Sequence, residues 1–175
     1  PARPGLTDTP RRIAASYAEL FAGVGADPLE HLDDAADFTG DDATGELVLV
    51  RDIAFRSTCE HHLLPFIGVA HVGYMPGDRL VGLGKIARVV ETVSSRPQLQ
   101  ERLGSQVADA LEQGLGARGV VVVLDARHGC VSARGSRQAE SSTVTVASRG
   151  VYADPMALAG VLALVGRQPE AGATL

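Results

Sequence analysis

The chain has 175 residues, a formal net charge of −5 and 45% hydrophobic residues, which predicts one folded domain with a substantial core. The acidic balance argues against a nucleic-acid-binding protein, which normally presents a basic face, and no apolar run of about 18 residues is available to span a bilayer. The start of the chain lacks an apolar secretory core, and only Cys59 and Cys130 are present. We therefore expect a cytoplasmic protein whose cysteines serve metal binding, catalysis or packing.

The N-terminal part is predicted to contain one helix and an acidic arm. Thr9-Pro10 is typical of a helix start, and apolar residues recur at helical spacing up to Phe21, which predicts a helix over residues 10–22. Residues 26–45 are polar and rich in aspartate. This composition predicts a surface loop or arm.

The rest of the chain alternates between strand and helix patterns. Strands are predicted over ELVLVRDIAF, residues 67–75, VVVVLDARHGCVSARG and TVTVASRGVY, with a further short strand that follows a Pro-Gly-Asp turn and ends at Val81. Helices are predicted over residues 84–94, 97–115 and 155–166. This order indicates an α+β domain with a mainly antiparallel sheet and two helices packed on one face. The unbroken apolar start of VVVVLDARHGCVSARG indicates a central strand that is covered on both faces.

Two segments carry side chains that can bind a metal. Cys59 and His62 lie three residues apart after a predicted strand, so a tight turn can direct both side chains at one ion. His128 and Cys130 are separated by one residue, which predicts that they share one face of a strand. If the segments meet, two thiolates and one imidazole form a suitable ligand set for zinc, with a fourth position open for water. His61 and His128 would then lie beside the ion as proton carriers.

Simpler interpretations of the same residues remain open. A single C-x-x-H motif is weak support for a metal site, and isolated cysteines are often small buried hydrophobes. His128 could equally be a hydrogen-bonded core histidine. Glu101 could belong to a solvated helix face, and Arg88 could form a surface ion pair of little energetic value.

Taken together, five segments of this sequence resemble the GTP cyclohydrolase I family. They are STCEHHLLPFIGVAHVGYMP, GLGKIARVVE, RPQLQERL, RHGCVSARG and TVTVASRGVY, and the opening GLTDTPRRIA is similar to the family's N-terminal helix. The resemblance extends from Gly5 to about residue 155. It implies a tunnelling fold, which divides the chain into residues 1–45, the N-terminal helix and acidic arm, and residues 46–175, the catalytic domain. Because the chain starts inside a family element, we expect further residues before Pro1.

The resemblance also implies roles for individual residues. Cys59, His62 and Cys130 match the family's zinc ligands, and His61 and His128 match its two catalytic histidines. The pair that anchors guanine matches Gln100 and Glu101, and a carboxylate is a natural acceptor for the adjacent N–H groups of guanine. The cations that contact the triphosphate match Lys85, Arg88 and Arg134, all of which suit phosphate oxygens.

The implied reaction is the hydrolytic opening of the guanine ring of GTP, or of a related purine nucleotide, at C8. Formate is lost, the ribose rearranges, and ring closure yields 7,8-dihydroneopterin triphosphate, as in folate and pterin pathways. The resemblance further implies a homodecamer with active sites at subunit interfaces.

One position departs from the family pattern. The usual GLSK segment reads GLGK here, so Gly84 replaces a serine whose hydroxyl lies near the ribose and phosphates. Three functions are therefore compatible with the sequence: an ordinary GTP cyclohydrolase I, a diverged enzyme that opens the purine ring but stops early or makes another product, and a non-catalytic zinc-stabilised scaffold. The last is disfavoured because a scaffold has no need of His61, His128, Gln100 and Glu101.

Overall fold

The structure is a computed structural model, which describes residues 3–38 and 45–166. Its elements are α1 (Thr9–Leu20), β1 (Ala36–Asp37), β2 (Val48–Cys59), β3 (Pro65–Met75), β4 (Arg79–Leu80), α2 (Leu83–Ser94), β5 (Pro97–Gln98), α3 (Gln100–Leu115), β6 (Gly119–His128), α4 (Gly129–Ser132), β7 (Thr143–Gly150) and α5 (Pro155–Val165). Short 3-10 helices cover Pro4–Leu6, Pro28–Leu32 and Val151–Ala153. Among these residues no helix is both long enough and apolar enough to cross a membrane.

The main sheet has five strands in the order β5-β2-β3-β6-β7. The β2–β3, β3–β6 and β6–β7 pairs are antiparallel, and β5 pairs with β2 in parallel. Helices α2 and α3 contact the sheet through β2, β6 and β7. The predicted α+β architecture, with a mainly antiparallel sheet and two helices on one face, is confirmed.

The side chains of β6 alternate between two apolar layers. Val120, Val122 and Leu124 lie in the main core, where the helices α2 and α3 also bury their apolar faces. Val121 and Val123 lie in a second cluster on the opposite face, with Tyr152 and Val161. An apolar side chain at every position is what a strand with both faces buried requires, so the prediction of a covered central strand is confirmed.

Helix α3 is shorter than predicted. Its apolar stripe packs into the core as expected, and Gly116, at φ +58°, ends the helix in the left-handed conformation. The prediction that the helix opens at Pro97 is wrong, because Pro97–Gln98 forms β5 and pairs with Thr58–Cys59 at the end of β2. The extended backbone of β5 delays the helix start to Gln100.

Residues 26–38 are more ordered than the predicted surface arm. Leu32 is buried beside Gly114 of α3, and Arg79 donates hydrogen bonds to the carbonyl oxygens of Leu32 and Gly114 at 3.2 and 2.8 Å. Strand β1 pairs with β4. Within the predicted surface arm, this part therefore contains a 3-10 helix and a short strand, because an apolar anchor and a strand pair hold it on the domain. Residues 39–44 of the predicted arm lie outside the described residues.

Candidate active site

A tight turn after β2 presents Cys59 and His62. The Cys59 N–H donates to the Leu64 carbonyl at 2.9 Å, and the Leu63 N–H donates to the Cys59 carbonyl at 2.8 Å, with Leu63 in the left-handed region at φ +50°. The turn brings the Cys59 sulfur within 3.8 Å of His62 Nδ1. Cys59 is buried and His62 is exposed, so one ligand comes from the core and one from the surface.

Cys130 reaches the same place from the end of β6. Strand β3 pairs with β6 so that Phe66 lies opposite His128, and α4 then carries Cys130 toward the turn. The prediction that His128 and Cys130 share one strand face is wrong, because β6 ends at His128 and Cys130 lies in α4. Gly129 permits this sharp change, since a Cβ there would lie 2.8 Å from the Pro65 carbonyl oxygen.

The ligand atoms of Cys59, His62 and Cys130 all lie within 4.8 Å of one another. Tetrahedral zinc with Zn–S bonds of about 2.3 Å and Zn–N bonds of about 2.0 Å separates its ligand atoms by about 3.5–3.8 Å. Burial raises the pKa of the Cys130 thiol, and the neighbouring Cys59 sulfur raises it further, whereas the Arg134 charge opposes the shift. Two sulfurs and an imidazole at this spacing fit a soft divalent cation such as zinc, whose binding would release the thiol protons.

His128 is held beside this group by two neighbours. Its ring stacks on Phe66 with centroids 4.7 Å apart and planes 3° from parallel. Its Nε2 lies 2.6 Å from Gln100 Oε1. Burial lowers the pKa of His128, and the Glu101 carboxylate opposes that shift. The imidazole is thus held in one orientation close to the candidate metal ligands.

His61 lies on the exposed side of the turn. Its side chain is 63% exposed, and its Nε2 is 3.9 Å from Glu60 Oε1. Arg102 of α3 donates to both carboxylate oxygens of Glu60 and lowers the pKa of that carboxyl group. Sequence reasoning missed Arg102, although it stands next to Glu101, because the contact depends on where α3 begins. Arg102 ties the turn to α3 through Glu60.

Gln100 and Glu101 have different surroundings although they are adjacent. Gln100 is 2% exposed and hydrogen-bonded to groups of β6 and β7. Glu101 is exposed and lines a cavity of about 390 Å³ together with Ser105, Thr145 and Arg149. Only the Glu101 carboxylate is therefore open to an incoming ligand.

The three predicted phosphate-binding cations come from two parts of the chain, α2 and the segment after α4. Lys85 and Arg88 lie on α2, where Lys85 Nζ is 2.6 Å from Asp34 Oδ2. Arg88 is exposed, and its side chain forms no hydrogen bond or ion pair with any residue in the described ranges. Arg134 lies close enough to Cys130 to influence its pKa. Arg134 thus lies near the candidate ligand group, while the Lys85 side chain is paired with Asp34 of the N-terminal segment.

Gly84 lies in the first turn of α2, next to Lys85. A Cβ built on Gly84 would meet no atom within 4 Å. The φ angle of Gly84 is not positive, so its backbone lies outside the left-handed region. Neither crowding nor backbone geometry therefore requires glycine at this position.

Comparison with known proteins identifies the family. The sequence model described as GTP cyclohydrolase I matches residues 1–166. The chain is 55% identical to the GTP cyclohydrolase 1 of Leifsonia xyli subsp. xyli over 95% of this chain and 86% of that protein, and 54% identical to that of Halalkalibacterium halodurans over 94% and 87%. A solved archaeosine synthase QueF-like protein in the apo form superposes with a TM-score of 0.49 and 16% identity, over 59% of this chain and 93% of that one. The assignment rests on the sequence relatives, and the tunnelling fold predicted above follows from it. The chain belongs to the GTP cyclohydrolase I family.

Proposed function

We propose that this protein is a zinc-dependent GTP cyclohydrolase I that converts GTP to formate and 7,8-dihydroneopterin triphosphate. The observation that carries the proposal is the meeting of Cys59, His62 and Cys130 within 4.8 Å, beside the oriented ring of His128, in a chain of this family. When bound by these three ligands, a zinc ion would supply Lewis-acid activation of water.

The chain's own residues would handle protons and substrate. Opening the imidazole ring of guanine needs a proton removed from the attacking water and a proton delivered to the departing ring nitrogen. His61 is open to solvent and can exchange protons with it, whereas His128 is half-buried and fixed. We assign these proton transfers to His61 and His128, since histidine changes charge near neutral pH.

Glu101 is the proposed acceptor for the guanine N–H groups, because its carboxylate is exposed in the cavity beside β7. Gln100, which the family resemblance pairs with Glu101, is buried and bonded to His128, so it would contribute through that histidine instead. Lys85, Arg88 and Arg134 are the proposed contacts for the triphosphate. Their charges would offset the negative charge of the phosphates in an otherwise acidic chain.

We also propose a homo-oligomer, a decamer by family resemblance, that works in the cytoplasm with its active sites between subunits. Support comes from strand β7 at the edge of the main sheet and from exposed apolar side chains, with Val144 at 59% and Ile67 at 61% exposure. Uncovered apolar area of this kind often marks a protein interface. Native mass spectrometry of the purified protein measures the subunit count.

The test is incubation of the zinc-loaded protein with GTP, following formate and identifying the product by mass. We expect formate in step with dihydroneopterin triphosphate, and a large fall in the rates of both in His128→Ala, to a low residual turnover, with zinc content and assembly retained. A zinc-loaded wild-type protein that releases no formate contradicts the proposal.

Gly84 favours a second candidate, an enzyme that opens the ring but stops before closure. The accumulation of a formamidopyrimidine nucleotide in the same incubation would support it. Conversion to dihydroneopterin triphosphate at the rate of its relatives would remove it.

A further inference from the structure

Gln100 is the most completely bonded polar side chain near the candidate active site. It lies in the first turn of α3 and is 2% exposed, whereas Glu101 next to it faces solvent. Both ends of its amide group contact protein atoms on β6 and β7. An amide buried in this way has little capacity left for a ligand, and its bonds instead determine the state of its neighbours.

The bonding pattern fixes which way the amide points. The Gln100 nitrogen lies 3.1 Å from the Leu124 carbonyl oxygen, 2.8 Å from the Thr143 carbonyl oxygen and 3.2 Å from Thr145 Oγ1. Carbonyl oxygens only accept hydrogen bonds, so the group that faces them must be the NH₂ donor. A flipped amide would place Oε1 against two carbonyl oxygens and lose those bonds. The oxygen therefore faces His128.

The orientation of Gln100 in turn fixes the hydrogen on His128. Gln100 Oε1 is 2.6 Å from His128 Nε2 and can only accept. His128 Nε2 must therefore carry the hydrogen, and in the neutral ring Nδ1 is left with the lone pair. Stacking on Phe66 holds the ring plane, so rotation of the ring would cost both contacts.

We propose that Gln100 is a positioning residue that fixes the orientation and the Nε2–H tautomer of His128, so that the Nδ1 edge of the ring is the one left free of Gln100. The Leu124 and Thr143 carbonyl groups determine the orientation of the Gln100 amide, and the amide determines which nitrogen of His128 carries the hydrogen. The catalytic part of this inference rests on the proposed function, whereas the resting state of the ring does not.

The first test needs no turnover. The zinc-loaded full chain is labelled with ¹⁵N in its histidine rings and studied without substrate by magic-angle-spinning NMR, with His128→Asn used to assign the His128 signals among the five histidines. We expect a protonated Nε2 with a dipolar contact to the Gln100 side chain and an unprotonated Nδ1. A hydrogen on Nδ1 with a bare Nε2 overturns the proposal, even if the protein is inactive towards GTP.

The second test separates positioning from guanine binding. Replacing Gln100 by Leu should lower kcat about 10- to 100-fold, the range for partners that orient histidines at metal sites, and should leave the KM for GTP within about twofold. Gln113→Leu, the same change at an exposed position of α3, is the matched control. A raised KM with normal kcat means that Gln100 binds substrate and overturns the proposal.

A double-variant comparison completes the test. If Gln100 acts only through His128, adding Gln100→Leu to His128→Ala should cause no further loss of kcat, because the partner is already gone. Independent, multiplying losses contradict the mechanism. If Gln100→Leu does not fold, the NMR measurement on the wild-type chain still decides the question.

Discussion

Gly84→Ser tests whether the missing hydroxyl limits the reaction. The family resemblance places a serine hydroxyl near the ribose and phosphates, and Gly84 stands in the first turn of α2 beside Lys85. Because a Cβ at Gly84 meets no atom within 4 Å and the backbone there is outside the left-handed region, serine can enter without strain. The substitution therefore adds a Cβ and a hydroxyl group without disturbing the packing.

The expected gain follows from the worth of one hydrogen bond. A typical bond contributes about 1 kcal/mol, which corresponds to about a fivefold change in kcat/KM. Any residue with a Cβ also restricts the unfolded chain at this position and stabilises the protein by about 0.4–1 kcal/mol. Gly84→Ala adds the Cβ without a hydroxyl, so it shows only the effect of restricting the unfolded chain. The ratio of the serine to the alanine variant therefore isolates the hydroxyl.

The assay measures formate release and dihydroneopterin triphosphate formation separately, under saturating zinc. We expect the serine variant to form the final product about fivefold more efficiently than the alanine variant, with a smaller change in formate release, because the hydroxyl acts near the ribose rather than at C8. Gly82→Ser, at another position where a Cβ meets no atom, is the control for added polarity near α2. Equal product formation by the serine and alanine variants refutes the reasoning.

The metal ligands and the Lys85 ion pair support further predictions. Cys130→Ser removes one of the two proposed sulfur ligands. Zinc content per chain, measured by inductively coupled plasma mass spectrometry after dialysis, should therefore fall well below that of the wild type. Full occupancy would exclude Cys130 as a ligand. Asp34→Asn frees the Lys85 ammonium and removes a negative charge near the expected position of the phosphates. The KM for GTP should therefore fall about two- to fivefold. The decrease in KM should be smaller at high salt, which screens the charges. Asp33→Asn is the matched control, and an unchanged KM in Asp34→Asn would show that Lys85 does not meet the phosphates.

The sequence predicted most of the fold because its patterns are local. The alternating strands, the apolar stripe of α3 and the Gly116 stop each depend on neighbouring residues, and all are seen in the structure. The metal ligands could be proposed for the same reason, since Cys59 and His62 share one turn. The assignment of Cys130 to a strand failed because the close approach of Gly129 to Pro65, a tertiary contact, sets the end of β6.

Contacts between distant segments could not be read from spacing. The pairing of Arg102 with Glu60 joins residues 42 positions apart, and the Lys85–Asp34 pair joins residues 51 positions apart. Neither pair has a periodic signal. The state of Gln100 is a similar case, because a glutamine beside an exposed glutamate predicts a polar helix face until the β6 and β7 carbonyl groups are placed beside it.

The short strand β5 connects the two halves of the candidate site. By pairing with the end of β2, it places the Gln98 carbonyl where it accepts the Glu60 N–H at 3.0 Å. The same pairing ends only two residues before Gln100, so the turn that carries Cys59 and His62 and the helix that carries the partner of His128 share one anchor. Had the helix begun at Pro97, as its sequence pattern suggests, this strand pair would be absent and the Gln98 carbonyl would point along the helix axis. The extended pair Pro97–Gln98 therefore supports the turn of Cys59 and His62 and, through Gln100, the ring of His128, although neither residue belongs to the candidate ligand group.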